Sequence, residues 1–272
     1  SRLLPVAFAL SSLTACDNLS GGGDQPSKPV KSVLGNGHRV SDYMGPADWY
    51  DVADEMSVNC AVPGETTVNI TGITIGAVDR FDEVADGAFG NLYVQDTVPD
   101  PGEYQGMTVF DPGFTPPDLR VARGDVLDLR GVYSEFLGPS AGLFGACKTL
   151  PEISGTASFR FEGSSTPPKK VKLQDLMGYE NARRYLGMVV TIDGLKIGAD
   201  PVASDPNLPT GGRYTADIDR TGVDTTGVDS ADYPKISNEL YDVLNDGPLL
   251  ETGTKFKSVT GVVTYFYGFK IA

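Results

Sequence analysis

Short apolar runs, broken every few residues by glycine or proline, constrain this chain more than any other feature of its sequence. The 33 glycines and 19 prolines among 272 residues leave little room for long helices, because both residue types interrupt regular backbone and favour tight turns. Between these breaks the apolar residues alternate. In the run Leu92-Tyr93-Val94-Gln95 a period of two predicts Leu92 and Val94 inward, with Tyr93 and Gln95 on the other face. In 125–130 the same period puts Leu127 and Leu129 inside and leaves Asp128 and Arg130 to solvent. Runs at 68–78, 91–96, 106–110 and 125–136 predict one set of strands, and runs at 173–177, 185–192, 195–197, 212–217 and 257–271 predict a second. Ile236, Leu240, Tyr241 and Leu244 have helical spacing, which predicts a short helix over 234–245 within the second set. Gly131 and Gly261 each fall mid-strand, where glycine marks the bend of a closing barrel. The fold class predicted is all-β, with two tandem five-stranded barrels and one short helix in the second.

The N-terminal sixteen residues obey a different logic. Leu3 to Leu13 is uncharged and apolar, far shorter than the roughly 20 residues a membrane span needs, so it reads as the apolar region of a secretory signal. It ends in Leu13-Thr14-Ala15-Cys16, which resembles the lipobox of bacterial lipoproteins. That resemblance implies cleavage before Cys16 and acylation of its thiol, hence a membrane partner through a lipid anchor and a place in the bacterial cell envelope. Because the chain opens on Ser1 with Arg2 as the lone cation before the apolar run, part of the signal is expected to precede it. A stretch rich in Gly, Ser and Pro follows, a tether that would hold the folded part off the bilayer. The expected division is 1–15 signal, 16–39 lipidated cysteine and linker, 40–166 extension plus first barrel, and 167–272 second barrel. Since the sequence stops on a strand-like run, truncation at the C-terminus is part of that expectation.

Charge and side-chain chemistry narrow the function. A formal net charge of −14 opposes polyanions at long range, so a nucleic-acid partner is disfavoured unless a local basic groove exists. Lys169, Lys170 and Lys172, with Arg183 and Arg184, are the clusters that could touch phosphate, and a solvated linker is the competing reading. With Cys16 acylated, Cys60 and Cys147 are an even pair in an exported protein, which predicts a disulfide worth roughly 4 kcal/mol in the chain-entropy model. His38 is the single histidine, and no Cys-x-x-Cys pair, phosphate-binding glycine loop or nucleophile elbow is present. These gaps disfavour zinc, nucleotide and Ser-His-Asp chemistry and point to a protein that is not an enzyme, with no cofactor. Five aspartates crowd 217–232, and Asp217, Asp219 and Asp224 are the set calcium would use, though the spacing departs from the EF-hand pattern. Asp79, Asp82, Glu83 and Asp86 form a second acidic group that reads as a polar turn.

The sequences 90–96, 106–109 and 121–136, then 173–176, 185–190 and 259–265, together resemble the OB-fold modules attached to secreted bacterial endonucleases. The resemblance implies two tandem OB-like barrels and a binding face on the second and third strands, which for the first barrel points to Tyr93, Gln95, Phe110 and Arg130. The catalytic domain that such modules accompany is missing from the motifs seen here. The expectation is therefore a non-catalytic envelope lipoprotein that binds a ligand, glycan or envelope protein. A nucleic-acid-binding accessory of a nuclease system is the first alternative, and a hydrolase using metal at the aspartate loop is the second. Replacing Cys16 by Ser should move the protein from the membrane fraction to the soluble fraction on centrifugation of cell lysates; unchanged membrane association would contradict acylation.

Overall fold

The computed structural model describes residues 65–79, 91–110, 121–139, 144, 148–160, 163, 166–203, 214–238, 240 and 250–272. The signal, linker and extension, Cys16, Cys60, Cys147, the acidic residues Asp82, Glu83 and Asp86, and the C-terminal part of the expected helix at 234–245 lie outside them. The fold is all-β, as the alternation predicts. Five strands, β1 (Thr66–Val78), β2 (Leu92–Asp96), β3 (Gly106–Val109), β4 (Val126–Phe136) and β5 (Leu150–Arg160), close a barrel in the order β1-β2-β3-β5-β4. The long β1 makes closure possible, pairing with β4 through its first half and with β2 through its second. Neighbouring strands run antiparallel except β3 and β5, which are parallel. Leu92, Val94, Leu127 and Leu129 are fully buried in the barrel core, on the side the sequence assigned them.

The mid-strand glycine of β4 is required by close approach. Gly131 sits opposite Gly155 of β5, and a Cβ on Gly131 would lie 2.3 Å from the Ser154 carbonyl oxygen. Gly261 is the counterpart in the second set of strands, with the Ala272 carbonyl oxygen 2.5 Å from its would-be Cβ. That set is β6 (Lys169–Val171), β7 (Val189–Asp193), β8 (Val202–Ala203), β9 (Tyr214–Asp217), β10 (Lys235–Ser237), β11 (Ser258–Tyr265) and β12 (Phe269–Ile271), in the order β6-β7-β11-β12-β10-β9-β8. Here β10 and β12 are the parallel pair. Beyond β7 the chain bridges back to the end of β9 at Ile197 and Ile218, with Gly198 N–H donating to the Asp217 carbonyl and Asp219 N–H to the Lys196 carbonyl.

Three local expectations are corrected. Residues Leu173–Leu176 form a 3-10 turn in place of a strand, held by Asp175, whose carboxylate accepts from the Lys172 N–H. The segment beginning at Pro234 enters as strand β10, because its backbone pairs on both sides with β9 and β12 and this pairing overrides the helical spacing of the apolar residues. The short helix of the second unit is α1, Tyr179–Ala182, followed by a 3-10 turn at Arg183–Tyr185.

Arg183 is no linker cation: its side chain is 2 % exposed and pairs with Glu135 of β4, 1 % exposed. Hydroxyl groups surround this ion pair. Thr149 Oγ1 donates to Glu135 Oε2 at 2.7 Å and accepts from Arg183 Nη1 at 3.1 Å. The Tyr179 hydroxyl accepts the Thr149 N–H at 2.7 Å and donates to the Thr149 carbonyl, and the Tyr133 hydroxyl donates to Glu135. The network ties β4 and the start of β5 in the barrel to α1 in the second unit. A second seam joins β2 and β3 to 184–189: Tyr104 N–H donates 2.7 Å to the Arg184 carbonyl, and Val189 N–H donates 3.0 Å to Gln95 Oε1.

Removing one member of a buried ion pair leaves an uncompensated charge. Arg183→Leu is expected to lower the unfolding free energy by about 3–5 kcal/mol in urea titration, whereas Arg183→Leu with Glu135→Leu should recover most of that loss. Glu152 of β5 is held up to about 7, above its ordinary 4.5, by burial and then by the charge of Glu135. The folded protein therefore keeps this proton more tightly than the unfolded chain, so the stabilisation is full below pH 4.5 and is lost as pH rises through about 7. After discounting for partial exposure, Glu152→Gln should stabilise the protein by about 1–2 kcal/mol at pH 8 and by little at pH 4.5, read from melting across the pH series.

Candidate ligand-binding site

The structure separates the four residues expected to line one face. Tyr93 and Gln95 point away from the barrel core, as their alternation predicts, yet both are buried because the second unit lies on them. Tyr93 packs with Val189 and Val262, and Gln95 bonds the Val189 amide. Phe110, 49 % exposed, follows the end of β3. Arg130 lies on β4 between Asn69 and Thr156, on the far side of the barrel order from β2 and β3. These four side chains do not form one site. Gly106 of β3 shows how tight the cover is: a Cβ there would sit 2.4 Å from the Leu186 carbonyl oxygen and 2.5 Å from the Met188 nitrogen.

On the second unit the Lys235 and Asp217 side chains stay 44 % and 39 % exposed. Strands β9, β10 and β12 present Asp217, Lys235 and Lys270 side by side, in register Lys235 to Asp217 and Lys235 to Lys270. Lys235 Nζ is 3.6 Å from Asp217. At one end the hairpin between β11 and β12 carries Phe266 and Tyr267, 41 % and 53 % exposed, with Lys270 Nζ 5.8 Å from the centre of the Phe266 ring. Tyr267 has φ +50, a conformation unusual outside glycine, and edge-on ring contacts hold it against Phe144 and Phe266. At the same end of the parallel β10–β12 pair, where Tyr233 lies two residues before Lys235, the Arg220 guanidinium stacks 4.5 Å over the Tyr233 ring. Exposed rings flanked by cations form a surface on which planar or ring-shaped groups can stack. The run Tyr265-Phe266-Tyr267-Gly268-Phe269 carried the signal in the sequence: a glycine turn packed with aromatics.

The aspartate loop looks inward to its own backbone. Asp219 accepts from Lys196 Nζ at 2.6 Å and from Thr221, contacts that hold its carboxyl well below the usual range. Asp224 accepts the Thr226 N–H, an interaction that likewise lowers it, and Asp217 is taken by Lys235. Among the described residues no group of three His, Cys, Asp or Glu side chains is placed to hold a metal ion.

Lysines do gather elsewhere. A groove of about 900 Å³ is lined by Lys170, Lys172, Lys196 and Lys255, with Asp175, Asp193 and Asp219 interleaved and Phe256 in its wall. Lys170 within β6 and Lys172 just after it thus line a concavity, where the sequence left linker or phosphate contact open.

Comparison with known proteins finds no match to any family model, curated protein or solved structure.

The covered face makes a sharp prediction. Gly106→Val should cost about 3 kcal/mol or more in denaturant unfolding, since the new side chain has backbone on two sides. Gly163→Ala, whose Cβ would meet nothing within 4 Å, should change stability by no more than about 0.5 kcal/mol.

Proposed function

We propose that the protein is a non-catalytic lipoprotein of the bacterial cell envelope, anchored through Cys16, that binds a glycan through the second of two tandem OB-like barrels. Strand order supports the two OB-like units. In the first, β1-β2-β3-β5-β4 closes with the third and fifth strands parallel. In the second, β7, β9, β10, β11 and β12 taken as strands one to five repeat the order, with β10 and β12 parallel and the Ile197–Ile218 bridge supplying the first-to-second contact. Binding in this architecture uses strands two and three together with the loops after strands one and four.

The observation that carries the reading is the contrast between those faces. On the first unit Tyr93 and Gln95 of strand two are buried under the second unit, whereas on the second unit Lys235 and Asp217 of those strands stay 44 % and 39 % exposed near a strand-four loop bearing Phe266 and Tyr267. Sugar rings present apolar faces to such aromatics, and uncharged glycans meet no penalty from a protein of net charge −14. A nucleic-acid ligand is the second reading, favoured by the lysine-lined groove.

The test uses the full chain with Cys16→Ser, titrated calorimetrically with a hexamer of N-acetylglucosamine and with a twelve-residue oligothymidylate between 20 and 200 mM salt. Glycan binding that is insensitive to salt and weakens about tenfold or more in Phe266→Ala/Tyr267→Ala is the expected result. Oligonucleotide binding that falls steeply with salt and is lost in Lys172→Ala/Lys255→Ala would move the function to the groove. Glycan affinity unchanged by the aromatic substitutions would remove the assigned face.

A further inference from the structure

A second site, independent of the aromatic face, lies at the seam between the two units. Two cavities meet there, one of about 230 Å³ and one of about 540 Å³, and both are walled by Gly76, Arg123 and Val189. The smaller also reaches Gln95, Thr74 and Gly124; the larger runs along Val78, Ile236, Val262 and Ile271. One cavity is therefore polar-ended and the other mainly apolar, and they share a rim.

Gln95 sets the chemistry of the polar end. It is 1 % exposed, and its Oε1 accepts the Val189 N–H at 3.0 Å, which fixes the orientation of the amide, since the reversed amide would set two donors against each other. The Nε2 end is then turned away from that bond, and it has no hydrogen-bond partner among the described residues. A buried amide donor without a partner is unfavourable, and an acceptor entering the cavity would relieve it. Arg123 supplies the second donor. Its backbone is fixed in a turn in which Gly124 N–H donates 2.8 Å to the Ile75 carbonyl and Ala122 N–H donates 2.8 Å to Asp125 Oδ2. Arg123 itself is exposed and lines both cavities, so its guanidinium can reach their common rim. The engaged hydroxyl of Thr74, bonded to Thr97 at 2.6 Å, adds polarity without competing for the amide.

We infer that this seam binds a small monocarboxylate with an apolar chain: the carboxylate between Arg123 and Gln95 Nε2, the chain along Val78, Ile236 and Val262. Arginine matches a carboxylate in charge and in geometry, and a larger cavity of about 540 Å³ falls in the range of small-molecule sites. The Gln95 donor is fixed before binding by the Val189 bond, so little ordering is lost at that end when the carboxylate arrives.

The probes are decanoate and decanol, which share a chain and differ in the head group, titrated calorimetrically into the full chain with Cys16→Ser. Decanoate should bind at least tenfold tighter than decanol, and Arg123→Gln should weaken decanoate at least tenfold while leaving the melting temperature unchanged. In protein labelled with ¹⁵N-glutamine, the Gln95 side-chain amide resonance should move with decanoate and stay in place with decanol, a readout that needs no substitution. Absence of decanoate binding at millimolar concentration, equal affinity for the two probes, or an unmoved Gln95 resonance would each overturn the assignment. The aromatic variants of the other face should leave decanoate binding intact, so the two sites succeed or fail separately.

Discussion

The architecture depends on one buried ion pair, Arg183 with Glu135, and on the ring of hydroxyls that completes it. Two charges removed from water are tolerated only when their remaining hydrogen-bonding capacity is filled, and Thr149, Tyr179 and Tyr133 fill it here. Because Glu135 belongs to the barrel and Arg183 to the segment after α1, satisfying the charges means holding the two units together. The seam of Tyr104, Gln95 and Gly106 against 184–189 then follows as a consequence of that docking. Thus the outward face of β2 and β3 is spent on the second unit.

That geometry underlies the proposed function. With Tyr93 and Gln95 buried under the second unit, the outward face of β2 and β3 is closed to a ligand, and the glycan face proposed on the second unit lies beside the Phe266–Tyr267 hairpin. The docking also creates the seam cavities, since Gly76 and Gln95 come from the first unit while Val189 and Ile236 come from the second. One contact thereby closes a face and opens a cleft.

Much of the fold was legible in the sequence, because the alternation in β2 and β4 sorts inward from outward residues by local rules alone. Strand β5 is weakly marked in the sequence: Leu150–Arg160 contains Pro151 and separates its apolar residues with Glu152, Ser154, Gly155 and Thr156, so its apolar pattern is weak. The candidate site was half legible for a related reason. Tyr93 and Gln95 were placed on the correct side of their strand, but what covers that side comes from residues nearly a hundred positions away, beyond the reach of periodicity. Arg183 and Arg184 read alike in sequence, yet one lies 2 % exposed in the ion pair and the other reaches Glu103 at the surface. Only the tertiary partner distinguishes them. The aromatic residues at 265–269 stand in the sequence without a partner, and only the strand order puts them beside Lys270.

The most direct test of the docked arrangement is native-state amide hydrogen exchange at Val189 and Tyr104, whose N–H groups bond across the units to Gln95 and Arg184. The account predicts that both exchange as slowly as amides in the middle of β4, because opening them requires separating the units. Exchange at the rate of exposed loop amides would show the units undocked, and would return the β2 and β3 face of the first barrel to solvent.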